Sequence, residues 1–148
     1  NTKSSVLSAA LRLPSMRSEE ADLRDRAWAA LDELNLTDVA YSPAAGLPFG
    51  TLKRIELARA LIANPRLIML DEPASGLTHS EVDSLAQDIK DLRDRHNLTV
   101  LLVEHHMRMV LGISEKLVVL NFGRKIADGD PDVVRNDPEV IEAYLGSS

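Results

Sequence analysis

Several features that would assign a protein to a particular class are missing from this sequence. It has no cysteine, which excludes disulfides and thiolate metal sites. No apolar run approaches the roughly 20 residues that a transmembrane helix needs, and no signal peptide is visible. The net charge is −6, which argues against nucleic acid as a partner. We therefore expect a cytosolic protein that does not bind nucleic acid.

The composition that is present is typical of one globular domain. The chain has 148 residues, of which 45% are hydrophobic and 27% are charged. A chain of this length can bury roughly 70% of the surface that it exposes when unfolded. The sequence opens on Asn1 rather than Met, from which we expect a fragment or a processed product.

The first part of the chain, residues 1–45, predicts helices. The stretch "SEEADLRDRAWAALDELN" begins at Ser18, a suitable N-cap, with two acids in its first turn. One face of this helix carries four apolar residues, Leu23, Ala27, Leu31 and Leu34. Trp28 is interpreted as a packing residue. A further helix, "TLKRIELARALIA", is predicted to end at Asn64 and Pro65.

Three short apolar runs follow, "LIML", "TVLLV" and "LVVL", and they predict strands covered on both faces. A helical pattern lies between the first two runs, and Thr78 with Glu81 predicts a capping box at its start. Strand, helix and strand at this spacing predict a βαβ unit with parallel pairing. The stretch "LVVLNFGRKIADG" predicts a hairpin around residues 121–123, and the tail predicts two short helices that begin near prolines.

Polar side chains follow the first two predicted strands. The first strand ends in Asp71 and Glu72, and the second ends in Glu104, His105 and His106. Ligands bind outside the carboxyl ends of the strands in an open parallel sheet. Pro73 fixes the direction in which the two acids leave the first strand. Metal-assisted phosphoryl transfer needs such a pair, with one acid holding Mg²⁺ and the other orienting the attacking water.

A simpler interpretation remains open for each of these residues, because loops are exposed to water and polar residues often end strands. Asp71 and His105, taken one at a time, are also explained in this way. The combination of several such residues at one edge favours a functional site. His79, His96 and His106 are assigned no role.

The stretch "GLPFGTLKR" is the second unusual feature. A Gly/Pro turn leads directly into a helix, so the first N–H groups of that helix are exposed and attract anions. Lys53 and Arg54 have the wrong sign for the helix dipole in this turn, at a cost of about 0.3–1 kcal/mol each. Either a strongly negative group docks at this end, or Glu56 and solvent balance the two cations.

Three stretches, "LPFGTLKRIELARAL", "NPRLIMLDEPASGLT" and "LLVEHHM", occur in an order that resembles the ATPase subunit of an ATP-binding cassette (ABC) transporter. The tail "IADGDPDVVRNDPEVIEAYLG" is similar to the end of cassettes that serve branched-chain amino acid importers. The resemblance implies an α/β fold, part of a P-loop NTPase (RecA-like) parallel sheet with flanking helices. It also implies a partial helical subdomain over residues 1–50 and the C-terminal part of the nucleotide-binding core over residues 51–148.

The resemblance implies roles for particular residues. Asp71 would hold Mg²⁺, Glu72 would be the general base, and His105 would be the switch histidine near the γ-phosphate. Nucleotide contacts would come from the signature loop, residues 47–51, and from the D-loop, residues 74–78. The contacting residues would be Phe49, Gly50, Thr51, Ser75 and Gly76.

This sequence departs from the family pattern in both loops. The usual signature is Leu-Ser-Gly-Gly-Gln, and here Pro48, Phe49 and Thr51 replace its serine, a glycine and its glutamine. Backbone N–H groups near Gly50 would therefore make most of the phosphate contacts. Thr78 stands where the D-loop usually has aspartate, which puts the cross-subunit contact in doubt.

The family's phosphate loop, G-x-x-x-x-G-K-[ST], does not occur in this sequence, and neither does its Q-loop. Both lie upstream in the family, so we expect the chain to be the C-terminal part of a cassette and to be inactive alone. The complete protein would hydrolyse ATP with Mg²⁺ to drive import, with branched-chain amino acids as the expected solute. It would pair head to tail with a second ATPase subunit and bind transmembrane permease subunits at the inner face of the cell membrane. The alternatives are a non-catalytic interaction module and an ABC protein with no role in transport.

Overall fold

The computed structural model describes residues 19–145. The chain divides into two compact units, residues 1–65 and residues 66–148. The expected boundary at residue 50 stays a prediction. The helices predicted before residue 19 lie outside the described residues.

Within residues 19–65, the first unit contains two helices, and the connection between them, residues 34–48, includes a 3₁₀ turn. Helix α1 covers residues 19–33, a 3₁₀ turn covers Thr37–Val39, and helix α2 covers Phe49–Ile62. Helix α2 begins two residues earlier than predicted, because Pro48 fixes its own φ and serves as the N-cap. The predicted apolar face of α1 is buried at Leu34, which is 2% exposed, but not at Leu23. Trp28 packs edge-on against Tyr41, with ring centroids 5.9 Å apart.

The second unit opens with the βαβ arrangement that the sequence predicts. Strand β1 covers Leu67–Asp71, helix α3 covers His79–His96, and strand β2 covers Thr99–Val103. The two strands pair in parallel, from Leu67 opposite Thr99 to Asp71 opposite Val103. The predicted capping box begins α3, because the Glu81 carboxylate accepts the N–H of Thr78 at 2.9 Å. Helix α3 buries one apolar face, formed by Val82, Leu85, Ala86, Ile89 and Leu92.

The coverage of β1 and β2 differs from the prediction. Successive strand residues point to opposite faces, and Ile68 on one face is 6% exposed. The other face carries four apolar residues that are half exposed or more, Leu67, Met69, Leu101 and Val103. An apolar run predicts that a strand is suited to burial on both sides, but it does not say which segment provides the second layer. Within the described part of the second unit, residues 66–145, no segment covers this face.

The remainder of the second unit is a hairpin flanked by short helices. Helix α4 covers Met107–Ile113, strands β3 and β4 cover Leu117–Asn121 and Arg124–Gly129, and α5 and α6 cover Pro131–Val134 and Pro138–Val140. The strands pair antiparallel, in a sheet separate from β1 and β2. The predicted hairpin and both proline-initiated helices are confirmed. A single π-helical turn, Ile141–Leu145, follows α6. None of the helices among the described residues combines the length and apolar character needed to cross a bilayer.

Candidate functional site

The parallel register of β1 and β2 brings the ends of both strands to one edge of the sheet. Asp71, the last residue of β1, lies opposite Val103, the last residue of β2. The N–H of Glu72 still donates to the carbonyl of Val103, at 2.8 Å. The residues that follow each strand therefore leave the sheet side by side, as the sequence predicts.

The backbone at Glu72 adopts an unusual conformation. Its φ is +44°, in the left-handed region of backbone conformation that residues other than glycine rarely adopt. This region costs an ordinary residue about 1–2 kcal/mol. The turn that follows is held by a hydrogen bond from the Ser75 N–H to the Glu72 carbonyl, at 3.1 Å. Pro73, which is buried, lies between them and anchors the turn.

The structure brings Glu72 and His105 together. The Nδ1 atom of His105 lies 3.7 Å from Oε1 of Glu72, and both side chains are more than half exposed. This distance is longer than a direct hydrogen bond. Both side chains face solvent, so a water or a ligand oxygen can approach either of them.

Glu104 contributes an interaction that the sequence analysis missed. Its side chain is completely buried, yet its carboxylate accepts four N–H groups. They come from the backbones of Ala74 (2.8 Å), His105 (2.9 Å) and His106 (3.1 Å), and from Nδ1 of His106 (3.0 Å). Burial alone raises the pKa of Glu104, but these hydrogen bonds outweigh burial and hold the pKa below its ordinary value.

The sequence gives a partial indication of these hydrogen bonds to Glu104. The sequence marks Glu104 as a polar residue at a strand end, but that pattern does not indicate that its side chain is buried. His106 was assigned no role, and its ring donates to Glu104 when Nδ1 carries the proton. A carboxylate directly before two histidines, at the end of an apolar strand, is the pattern that would have indicated the contact.

The donor set at this edge fits a hard divalent cation. Asp71 and Glu72 are exposed carboxylates on consecutive residues, and Mg²⁺ prefers carboxylate, phosphate and water oxygens. Ligand atoms of Glu104, His105 and His106 also lie within 4.8 Å of one another. The Glu104 oxygens already accept four N–H groups, so this second cluster is better suited to hydrogen bonding than to metal coordination.

The predicted signature residues begin helix α2, in the first unit. Phe49, Gly50 and Thr51 form its first turn, and Leu52 is the first residue whose N–H bonds back, to the carbonyl of Pro48. The three preceding N–H groups have no intrahelical acceptor. The helix thus presents the backbone donors that an anion would need.

The misplaced charge of Lys53 has local partners. Its ammonium lies 5.4 Å from the centroid of the Phe49 ring and 3.5 Å from the Glu56 carboxylate. These contacts favour the interpretation that neighbouring side chains balance this charge. Ser75 and Gly76 are exposed in the turn after β1, where Gly76 has a φ of +79°.

Comparisons with known proteins identify the family of this chain. A family model described as "ABC transporter" matches residues 2–75, and one described as "Branched-chain amino acid ATP-binding cassette transporter" matches residues 124–148. The branched-chain amino acid transport ATP-binding protein LivG of Escherichia coli is 41% identical over 146 residues, which are 99% of this chain and 57% of that protein. BraF of Pseudomonas aeruginosa, which carries the same description, is 44% identical over 142 residues, 96% of this chain and 56% of that protein.

Solved structures give the same result for the fold. A crystal structure of the ADP conformation of an ATP-binding cassette of an ABC transporter superimposes with a TM-score of 0.76 and 30% identity, covering 84% of this chain and 50% of that chain. A nucleotide-free cassette gives a TM-score of 0.74 at 29% identity, covering 84% and 51%. The predicted α/β fold class and the resemblance are confirmed. The chain spans little more than half the length of the relatives that it matches.

Proposed function

Because this chain belongs to the ABC transporter ATPase family, we propose that the complete protein hydrolyses ATP to drive the import of branched-chain amino acids. One observation carries the proposal at the level of chemistry. Glu72 and His105 leave adjacent parallel strands and approach within 3.7 Å at the edge where such sheets bind ligands. The matches to branched-chain amino acid transport proteins support the choice of solute.

Each residue at the strand ends has a separate task in the proposed reaction. Asp71 holds Mg²⁺ through a carboxylate oxygen, directly or through water. Glu72 accepts a proton from the attacking water, and its exposure leaves the carboxylate open to that water. His105 donates to the oxygen of the transferred phosphoryl group. Bound Mg²⁺ supplies neutralisation of the phosphate charge.

The remaining predicted contacts involve a second subunit. We propose that the backbone N–H groups of Phe49, Gly50 and Thr51 contact a nucleotide held by a second ATPase subunit in a head-to-tail pair, and that Ser75 and Gly76 line the same interface. The free N–H groups at the start of α2 support this assignment. Membrane attachment would come from transmembrane permease subunits, so the protein would lie at the inner face of the membrane.

The 148-residue chain by itself is proposed to be inactive. Its sequence contains no G-x-x-x-x-G-K-[ST] loop, and that loop supplies the backbone cradle and the lysine that hold the phosphates. ATP binding and turnover of this chain, measured beside those of the complete protein, test the proposal. Turnover by the chain alone would overturn it.

The sharpest test of the chemistry is Glu72→Gln in the complete protein. Loss of a positioned base lowers turnover by about 10²–10⁴, while ATP binding is expected to persist because the amide keeps the size of the side chain. Glu115→Gln is the matched control, since its carboxylate is 84% exposed and lies outside the site. Hydrolysis by the Glu72→Gln variant at a rate near that of the control would remove Glu72 from the role of base.

A further inference from the structure

We propose that Glu104 is a positioning residue for the hydrolytic site, and this inference rests on the proposed function. Its buried carboxylate bridges the turn that follows Glu72 and the segment that carries His105. Through that bridge it sets the distance between the proposed base and the proposed switch histidine. Glu104 itself is not expected to contact the nucleotide, because its side chain is completely buried.

The first half of the bridge joins Glu104 to the turn after β1. Oε1 of Glu104 accepts the N–H of Ala74, which lies 30 positions earlier in the sequence, at 2.8 Å. Ala74 is fully buried. Pro73 has no N–H, so Ala74 carries the first backbone donor after Glu72. The hydrogen bond therefore fixes the turn at the nearest point that the chain offers.

The second half of the bridge uses the other carboxylate oxygen. Oε2 accepts the backbone N–H groups of His105 and His106 and the ring Nδ1–H of His106. Each oxygen thus serves a different segment, and one side chain connects both. Hydrogen bonds to an ionised acceptor are shorter and stronger than neutral ones. The positions of Glu72 and His105 are consequently coupled through Glu104.

The bridge needs two acceptor oxygens on one side chain of the length of glutamate, and this requirement determines which substitutions break it. Glutamine has one carbonyl oxygen, and its NH₂ group cannot accept from the N–H groups that face it. Three of the four N–H groups face Oε2, so we expect the carbonyl of Glu104→Gln to face the His105–His106 segment and its NH₂ group to oppose the N–H of Ala74. Glu104→Asp keeps the charge but shortens the side chain by one methylene, so the carboxylate reaches only one segment.

The experiment compares the wild-type complete protein with Glu104→Gln, Glu104→Asp and the control Glu115→Gln. We expect both Glu104 variants to lower kcat about tenfold to hundredfold, since misplacement by about 1 Å can cost about 10²-fold. ATP binding is expected to be unchanged, because neither variant removes a nucleotide contact. The amide resonance of Ala74 should move upfield in Glu104→Gln, as its hydrogen bond to a carboxylate is lost. If Glu104 had a purely structural role, its substitution would lower the stability of the protein, but it would not lower kcat while leaving ATP binding unchanged.

The possible results distinguish the inference from the function on which it rests. A wild-type protein without ATP turnover refutes the proposed function. An active wild type with unchanged kcat in both Glu104 variants, or an unmoved Ala74 amide in Glu104→Gln, refutes the positioning role. If both Glu104 variants fail to fold while Glu115→Gln folds, the role of Glu104 is structural and the inference is also overturned.

Discussion

The left-handed backbone at Glu72 leads to a prediction about stability that is independent of catalysis. The φ of +44° is one that glycine adopts without steric cost, whereas alanine and glutamate do not. We expect Glu72→Gly to be more stable than Glu72→Ala, although both remove the proposed base. Comparing these two variants with each other cancels the loss of the carboxylate, so the difference reports on the backbone.

Two opposing contributions set the difference in unfolding free energy between Glu72→Gly and Glu72→Ala. The left-handed conformation costs a residue with a Cβ about 1–2 kcal/mol, and glycine is relieved of that cost. Glycine loses more conformational freedom on folding, which offsets about 0.5–1 kcal/mol of the gain. The conformation itself is retained in both variants, because the backbone hydrogen bonds from Glu72 to Val103 and from Ser75 to Glu72 do not involve side chains. The centres of these two ranges leave glycine a net advantage of about 0.5–1 kcal/mol.

Urea unfolding of the complete protein measures this difference in unfolding free energy. The melting temperature of Glu72→Gly should be higher than that of Glu72→Ala by roughly 1–4 °C. Lys90 provides the matched control, since it is exposed in the middle of helix α3. Glycine should be less stable than alanine there by about 1 kcal/mol. The reasoning fails if glycine is also the less stable residue at position 72, because Glu72 would then not be strained.

Two further predictions concern stability in the second unit. The lowered pKa of Glu104 contributes stability that is fully present above the ordinary glutamate value of 4.5 and is lost as the pH falls through the lower folded value. Unfolding free energies measured from pH 7 to pH 3 should therefore converge for wild type and Glu104→Gln at the acid end, and parallel curves would contradict this. Phe122 occupies the hairpin turn at a φ of +46°, so Phe122→Asn should raise the free energy of unfolding by about 0.5–1 kcal/mol, whereas an unchanged urea midpoint would show that the turn is not strained.

The elements that the sequence predicted well are those with strong local signals. Helix α3 has an apolar face, a capping box at Thr78 and a run of charge on its exposed side, so its start and its orientation follow from its own residues. The apolar runs on either side are the right length for strands, and a helix between two strands imposes parallel pairing. The proximity of Glu72 and His105 then follows from topology alone, because parallel strands end at the same edge.

The elements that could not be predicted depend on interactions between distant segments. The hydrogen bond between Ala74 and Glu104 spans 30 positions, and no periodicity reports such a contact. The left-handed φ of Glu72 was also hidden, since glutamate has no preference for that region. The open face of β1 and β2 was unpredictable for a related reason, because burial on both faces requires a covering segment that the strand sequence does not specify.

The strain at Glu72 and the bridge at Glu104 have a common physical origin. A strained backbone persists only where the surrounding structure holds it by several contacts. Here those contacts are the hydrogen bonds from Glu72 to Val103, from Ser75 to Glu72 and from Ala74 to Glu104. All of them lie within the second compact unit, residues 66–148. The hydrogen bonds that hold the backbone of the proposed base therefore connect residues of this unit to one another.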